Sequence, residues 1–307
     1  MVSDHLKTLL RSGRKRIQQA PLTITLAMGG GTLALILLAW IVADDGRRLQ
    51  AGARPSLLDL LDQVSTEKIR VQKGTSAGVS PGGPPLAQRW SSPLSQQCSG
   101  IDPLIKRRLE SQKKQLERLR RPVSIDSTNY GKRYRQDAFG RRLDPTPRLV
   151  VLHETVYSLD SALNTFKTPH PRDEDQASYH TLIGLDGKIT DLVDPAYRAF
   201  GSGNSAFLGE WAITNARFDG SVNNFSLHLS VETPQDGRNN NSLHSGYTES
   251  QYDSLALVIS DWMERFDFSA AAITTHQHVD LGGERSDPRS FNWSSLQDRL
   301  AALGDLC

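Results

Sequence analysis

Residues 21–43, PLTITLAMGGGTLALILLAWIVA, run without a charged side chain. At about 1.5 Å per helical residue the run reaches about 34 Å, enough to cross a hydrocarbon core of roughly 30 Å. It is expected to stay out of any globular core and to form a transmembrane anchor, with Trp40 near one interface and Asp44-Asp45 closing it. Residues 1–20 carry Lys7, Arg11, Arg14, Lys15 and Arg16 against Asp4, which places a basic N-terminus in the cytoplasm. Everything after residue 43 is then expected in the periplasm, on a single-pass protein of the inner membrane. A cleaved signal peptide is the rival reading, but its apolar region would be shorter, roughly 7–15 residues. Ala51-Gly52-Ala53 resembles a cleavage site yet lies well beyond the run.

Charge excludes one class of partner. The 307-residue chain has 36 Lys and Arg against 34 Asp and Glu, so bulk charge gives no reason to expect nucleic acid. Residues 44–97 read as a periplasmic linker: a short amphipathic helix over 53–64, then a stretch from Gly74 dominated by Gly, Pro and Ser that cannot build a core. The two cysteines, Cys98 and Cys307, fall on the exported side, where a disulfide is permitted. Paired, they would tie the start of the folded region to the last residue of the sequence; two free thiols are the alternative. Residues 98–145 form an N-terminal extension with a basic helix expected over 104–121. Ile105, Leu109, Leu116 and Leu119 approximate one face of that helix, and only Glu110 and Glu117 oppose its cations. It either docks on an anionic surface or packs its leucines on the domain. A monomer is expected.

Over 146–307 the pattern is α/β. RLVVL (148–152) is the apolar run of a buried strand, and SLDSALNTF (158–166) a short helix. YHTLIGLDGKITDLV (179–193) reads as two strands around Leu185-Asp186-Gly187-Lys188. SLHLSVE (226–232) alternates, with Leu227, Leu229 and Val231 on one face and Ser226, His228, Ser230 and Glu232 on the other. YTESQYDSLALVISDWMERF (247–266) is a helix opened by a Thr248…Gln251 capping box, with Leu255, Ile259, Trp262 and Phe266 as its apolar stripe. AAAITT (270–275) is a further strand and NWSSLQDRLAAL (292–303) a closing helix. The expected architecture is a mixed β-sheet flanked by helices.

Two of these strands stop at a histidine, His153 and His276. Asp287 follows His276 across the Gly282-Gly283 turn and can fold back as a carboxylate. Two histidines and one aspartate with a fourth position open would suit a hydrolytic zinc site. Histidines at strand ends are also common as simple hydrogen-bonding residues, and spacing alone leaves both readings open.

Six motifs occur in an order that resembles one family: LVVLHET, SYHTLIGLDGKI, RAFGSGNSAF, NNFSLHLSVETP, YTESQYDSLALVI and ITTHQHVDLGGERSDPRSFNW. Over about residues 123–307 the chain resembles the zinc-dependent N-acetylmuramoyl-L-alanine amidases of type 2, a group that includes phage lysozyme amidases and peptidoglycan recognition proteins. The resemblance implies zinc held by His153, His276 and Asp287, with His278 a neighbour, and a substrate of peptidoglycan or released muropeptides. It implies that Tyr179 orients the attacking water and that His180 is structural.

The chain departs from the family pattern at three places. Arg285 stands where many members have lysine; it keeps the charge and can stabilise an oxyanion but cannot donate a proton. Ser230 stands where recycling-type members carry a catalytic glutamate, which leaves Glu232, one pleat along, as the candidate substitute base. AFGSG (199–203) replaces a Trp-His pair, and His228 is expected only to line the pocket. A membrane-anchored amidase is the expected function, and a non-catalytic peptidoglycan-binding module on the same fold is the alternative.

Overall fold

The computed structural model describes residue 85 and residues 89–307. The basic N-terminus 1–20, the anchor 21–43, the helix 53–64 and most of the linker lie outside the described residues. Among the described residues no helix is long and apolar enough to cross a membrane.

In chain order the elements are α1 (Pro103–Lys113), α2 (Leu116–Leu119), β1 (Arg120–Pro122), β2 (Tyr130–Lys132), β3 (Leu149–Glu154), α3 (Leu159–Lys167), β4 (Thr181–Ile183) and β5 (Ile189–Asp191). There follow β6 (Tyr197–Ala199), β7 (Ser226–Val231), α4 (Glu249–Phe266), β8 (Ile273–Thr275), α5 (His276–Val279) and α6 (Trp293–Leu303). Six strands form one mixed sheet in the order β1-β5-β4-β7-β3-β8, with only the β4–β5 pair antiparallel. β2 and β6 make a separate antiparallel ribbon that the sequence pattern did not suggest.

Alternation gives the sheet two different faces. Val150, Leu152, Leu227, Leu229, Val231 and Ile273 join Leu255, Ile259, Trp262, Leu296 and Leu300 in one core under α4 and α6. Fully burying such a side chain contributes about 1.5–3 kcal/mol. On the opposite face Leu149 and Val151 meet Phe207, Val222, Phe225 and Val279 in a smaller cluster. That second face ends in the polar side chains of His153, His228 and Ser230.

The helices begin and end where their caps dictate. Thr248 Oγ1 accepts from Gln251 N (3.1 Å) and Gln251 Oε1 from Thr248 N (3.0 Å), so the expected capping box starts α4. Asn292 caps α6, and Gly304 in the left-handed region stops it. Asp253 ties three helices together: its carboxylate accepts a bidentate pair from Arg108 of α1 (2.6 and 2.9 Å) and the Nε–H of the buried Arg299 of α6 (2.7 Å).

The structure redraws four boundaries. The helix expected over 104–121 stops at Lys113, and after α2 the chain enters the sheet as edge strand β1, where Pro122 is tolerated. Arg120 is drawn there by Asp191 (3.2 Å) and Asp261 (2.6 Å). Leu109 and Leu116 are buried as expected, whereas Leu119 is 40% exposed. The extension 98–145 is not separate from the domain at 146–307, because Leu109 and Leu116 belong to the same core as the sheet. The end of the expected linker 44–97 is also part of the fold. Leu94 is buried in that core, and Trp90 Nε1 donates to the Ala271 carbonyl. Finally, 270–272 form a 3-10 turn ahead of β8 rather than its first half. Cys98 and Cys307 are joined by a disulfide, with Gln97 N donating to the Leu306 carbonyl beside it.

Candidate metal centre and active site

His153 is the fifth of the six residues of β3, all of them buried, and stands in register with Ser230 of β7. β8 lies on the other side of β3 and delivers His276 as the first residue of α5. Thr275 caps that short helix through a bond from His278 N (3.3 Å). The helical turn then sends His276 and His278 in different directions. His276 points at the metal-site residues, while His278 packs against Trp90 with ring centroids 4.3 Å apart. Asp287 is held close because Gln277 N donates to its carbonyl (3.0 Å).

The three side chains converge. His153 Nδ1 is 3.3 Å from Asp287 Oδ2, and His276 Nδ1 is 3.0 Å from Asp287 Oδ1. One donor atom from each of the three lies within 4.8 Å of the others. Zinc–nitrogen and zinc–oxygen bonds of roughly 2.0–2.2 Å in a tetrahedron would separate ligand atoms by about 3.3 Å. Two imidazoles and one carboxylate at this spacing fit a zinc ion with one position left for water or substrate. Burial pushes His153 down to about 4. For Asp287 burial acts upward, but the neighbouring His276 and His153 outweigh it and hold the carboxyl well below its ordinary range. The donor set is therefore a neutral imidazole beside an ionised carboxylate.

Tyr179 stacks on His153 at 4.5 Å and is backed edge-on by Phe166 of α3. Burial pushes its phenol upward, so the hydroxyl keeps its proton. Arg285 enters on a turn organised by Asp280, whose carboxylate accepts from the backbone N–H groups of Gly282, Glu284 and Arg285. Its charge is near enough to depress both Tyr179 and His153. Ser230 presents a buried hydroxyl on the His153 side of the sheet, with no hydrogen-bond partner among the described residues.

Glu232, the candidate substitute base, is held by three hydrogen bonds. Its Oε1 accepts from Leu159 N (3.1 Å) and Arg238 Nη2 (3.0 Å), and its Oε2 from Leu185 N (3.1 Å). The carboxylate thus meets the first turn of α3 and pins the β4–β5 turn, so the side chain expected as a substitute base is engaged in structural bonds. His180 is structural: its Nδ1 accepts from His228 N (2.9 Å) and its Nε2 faces the Tyr197 carbonyl (3.2 Å). Burial and the charge of Arg133 push it down to about 3.

Sequence reasoning missed a network behind the ligands. Glu154, fully buried beside His153, accepts from Arg289 through both Nε–H and the backbone N–H. Its other oxygen meets Thr233 Oγ1 (3.2 Å), His244 Nε2 (3.1 Å) and Tyr247 Oη (3.0 Å). Arg289 also donates to the carbonyls of Gly237, Asn239 and Asn241. One signal was visible beforehand: a carboxylate ending an otherwise apolar strand needs partners. His228 was underestimated too. Instead of lining a pocket it is wholly buried, with Nδ1 3.0 Å from His153 Nε2.

The fold and this cluster define the class: an α/β domain in which two histidines and an aspartate converge beside the ends of parallel strands. Residues 143–290 match the family described as N-acetylmuramoyl-L-alanine amidase, a match that supports amidase activity for this domain. Among solved structures, a selenomethionine derivative of AmpD is 23% identical, with 58% of this chain and 94% of that one covered and a TM-score of 0.42. AmpD of Citrobacter freundii is 23% identical over 59% of this chain and 90% of its own, with a TM-score of 0.38. LysC of Clostridium intestinale URNW is 15% identical over 59% and 97%, with a TM-score of 0.39. No curated protein sequence matches the chain.

Proposed function

We propose that this domain hydrolyses the amide between the lactyl group of N-acetylmuramic acid and L-alanine of the peptidoglycan stem peptide, using zinc held by His153, His276 and Asp287. The observation that carries this reading is the convergence of those three donors within 4.8 Å of one another in a domain that matches the amidase family. Zinc there would supply Lewis acidity, polarising the scissile carbonyl and acidifying water.

The protein supplies the rest. Tyr179, protonated and stacked on His153, is a hydrogen-bond donor that orients the nucleophile rather than a base. Arg285 is a permanent cation beside the ligands and would hold the negative charge that develops on the carbonyl oxygen. Glu154 and Glu232 are both engaged in structural bonds. Ser230 leaves the sheet face beside His153 without a carboxylate, so the chemistry rests on Tyr179, Arg285 and the metal. The uncharged run 21–43 and the basic residues ahead of it support a tether that keeps the enzyme at the inner membrane facing the wall.

The test is incubation of the full-length protein with purified peptidoglycan, with and without a chelator, and mass spectrometry of the products. Free peptides that begin with L-alanine and appear only with zinc are expected. One equivalent of zinc bound without such peptides would favour the alternative, a wall-binding module.

A further inference from the structure

His228 sits one pleat behind His153 on the same sheet face, since its register partner on β3 is Val151. Its ring is clamped. The backbone N–H donates to His180 Nδ1, and the His180 ring lies nearly parallel at 5.8 Å. On another side Gly201 leaves room that no other residue would, because a Cβ there would come within 2.4 Å of the imidazole. Held so, His228 meets His153 Nε2 with Nδ1 (3.0 Å) and Ser226 Oγ with Nε2 (2.9 Å).

We infer that His228 is a positioning residue that fixes His153 as an Nδ1 ligand, and that Ser226 completes a switchable relay behind it. The inference rests on the zinc reading above. Without metal, His153 Nδ1–H donates to Asp287, His153 Nε2 accepts from His228 Nδ1–H, and His228 Nε2 accepts from the Ser226 hydroxyl. When Nδ1 of His153 gives its lone pair to a metal, its proton must sit on Nε2. That proton is donated to His228 Nδ1, and His228 Nε2–H donates to Ser226 Oγ. Each ring keeps one proton in both states, so no charge is created in the core. Serine suits the far end because a hydroxyl can both donate and accept, whereas a carbonyl or an ammonium cannot. The relay explains why a polar, wholly buried histidine occupies this strand position, and why glycine faces it.

The test pairs a structural readout with an affinity readout on the full-length protein. Two-bond nitrogen–proton NMR spectra of histidine-labelled protein should show zinc moving the proton from Nδ1 to Nε2 in both His153 and His228. Zinc affinity, measured by competition with a chromophoric chelator, should fall about 10–100-fold in His228→Leu, the usual loss when an outer-shell partner goes. His228→Asn should keep most of the affinity, because its Oδ1 replaces the Nδ1 acceptor, and Ser226→Ala should fall between the two. A loaded protein with His153 still protonated on Nδ1, or wild-type affinity in His228→Leu, would overturn the relay. Should His228→Leu not fold, the wild-type spectra and Ser226→Ala decide. Failure of the wild-type protein to bind zinc at all would instead remove the zinc reading on which the relay rests.

Discussion

The carboxylate of Glu154, one residue beyond His153, accepts two bonds from Arg289, two residues beyond Asp287. Two of the proposed ligands are thus fastened to each other from behind by a buried ion pair. Breaking such a pair by removing one partner costs about 3–5 kcal/mol, since the other charge stays buried. Glu154→Gln is expected to lower unfolding stability in urea by about 3 kcal/mol and to weaken zinc binding as Asp287 loosens. Unchanged values for both would show that the pair positions nothing.

Asp253 holds Arg108 and Arg299 at once, and Arg299 is only 2% exposed. Asp253→Asn leaves that guanidinium with the largely exposed Glu249 carboxylate as its remaining ion-pair partner in the helical layer, on the face opposite the metal centre. A loss of about 1.5–3 kcal/mol is expected, the cost of losing a charged hydrogen-bond partner at a buried group. Zinc affinity should not change, and a parallel fall in affinity would count against the separation of the two sheet faces.

Arg285→Ala should lower kcat about 100-fold while leaving bound zinc at one equivalent, as its proposed role at the developing oxyanion rather than at the metal requires. Arg285→Lys should recover part of the rate. Zinc loss in Arg285→Ala, seen by metal analysis after dialysis, would assign the residue to metal retention instead.

His180 is neutral in the folded state, pushed down to about 3 against an ordinary value of about 6.5 when unfolded. Between these values the unfolded chain binds a proton that the folded chain refuses, so stability rises with pH. The contribution is intact above about pH 6.5 and is lost as pH falls toward 3. In chelator, to keep metal uptake out of the measurement, His180→Asn should reduce the slope of unfolding free energy near pH 5 by up to about 1.4 kcal/mol per pH unit. An identical slope in wild type and variant would mean that the ring accepts its proton in the folded state.

The Cys98–Cys307 bridge closes a separation of 209 residues. By restricting the unfolded chain, a link of this span is worth about 2–5 kcal/mol. Cys307→Ser should lose stability in that range, and the wild-type protein should lose the same amount in reductant. A shift in reductant that persists in Cys307→Ser could not come from this bond.

Much of the fold was legible because its signals are local. RLVVL, SLHLSVE and the Thr248…Gln251 box specify their elements through side-chain period and capping, within a few residues of chain. The three candidate ligands were singled out through motif order, and their donor atoms lie within 4.8 Å of one another. Helix 104–121 was misread at its C-terminal half because Arg120 is captured by Asp191 and Asp261, which lie far along the chain. The partners of Glu232 were hidden for the same reason: what occupies its carboxylate comes from α3, the β4–β5 turn and Arg238.

The sequence by itself determined the alternation that makes one sheet face apolar and the other polar, the motif order by which the domain resembles the amidases, and the identity of the ligand candidates. Tertiary structure decided which polar side chains are free to act. Register sets His228 behind His153, Gly201 leaves space for its ring, and Arg289 closes on Glu154. A buried donor or acceptor is settled by whichever partner the fold brings within about 3 Å, and that partner is written nowhere near it in the chain.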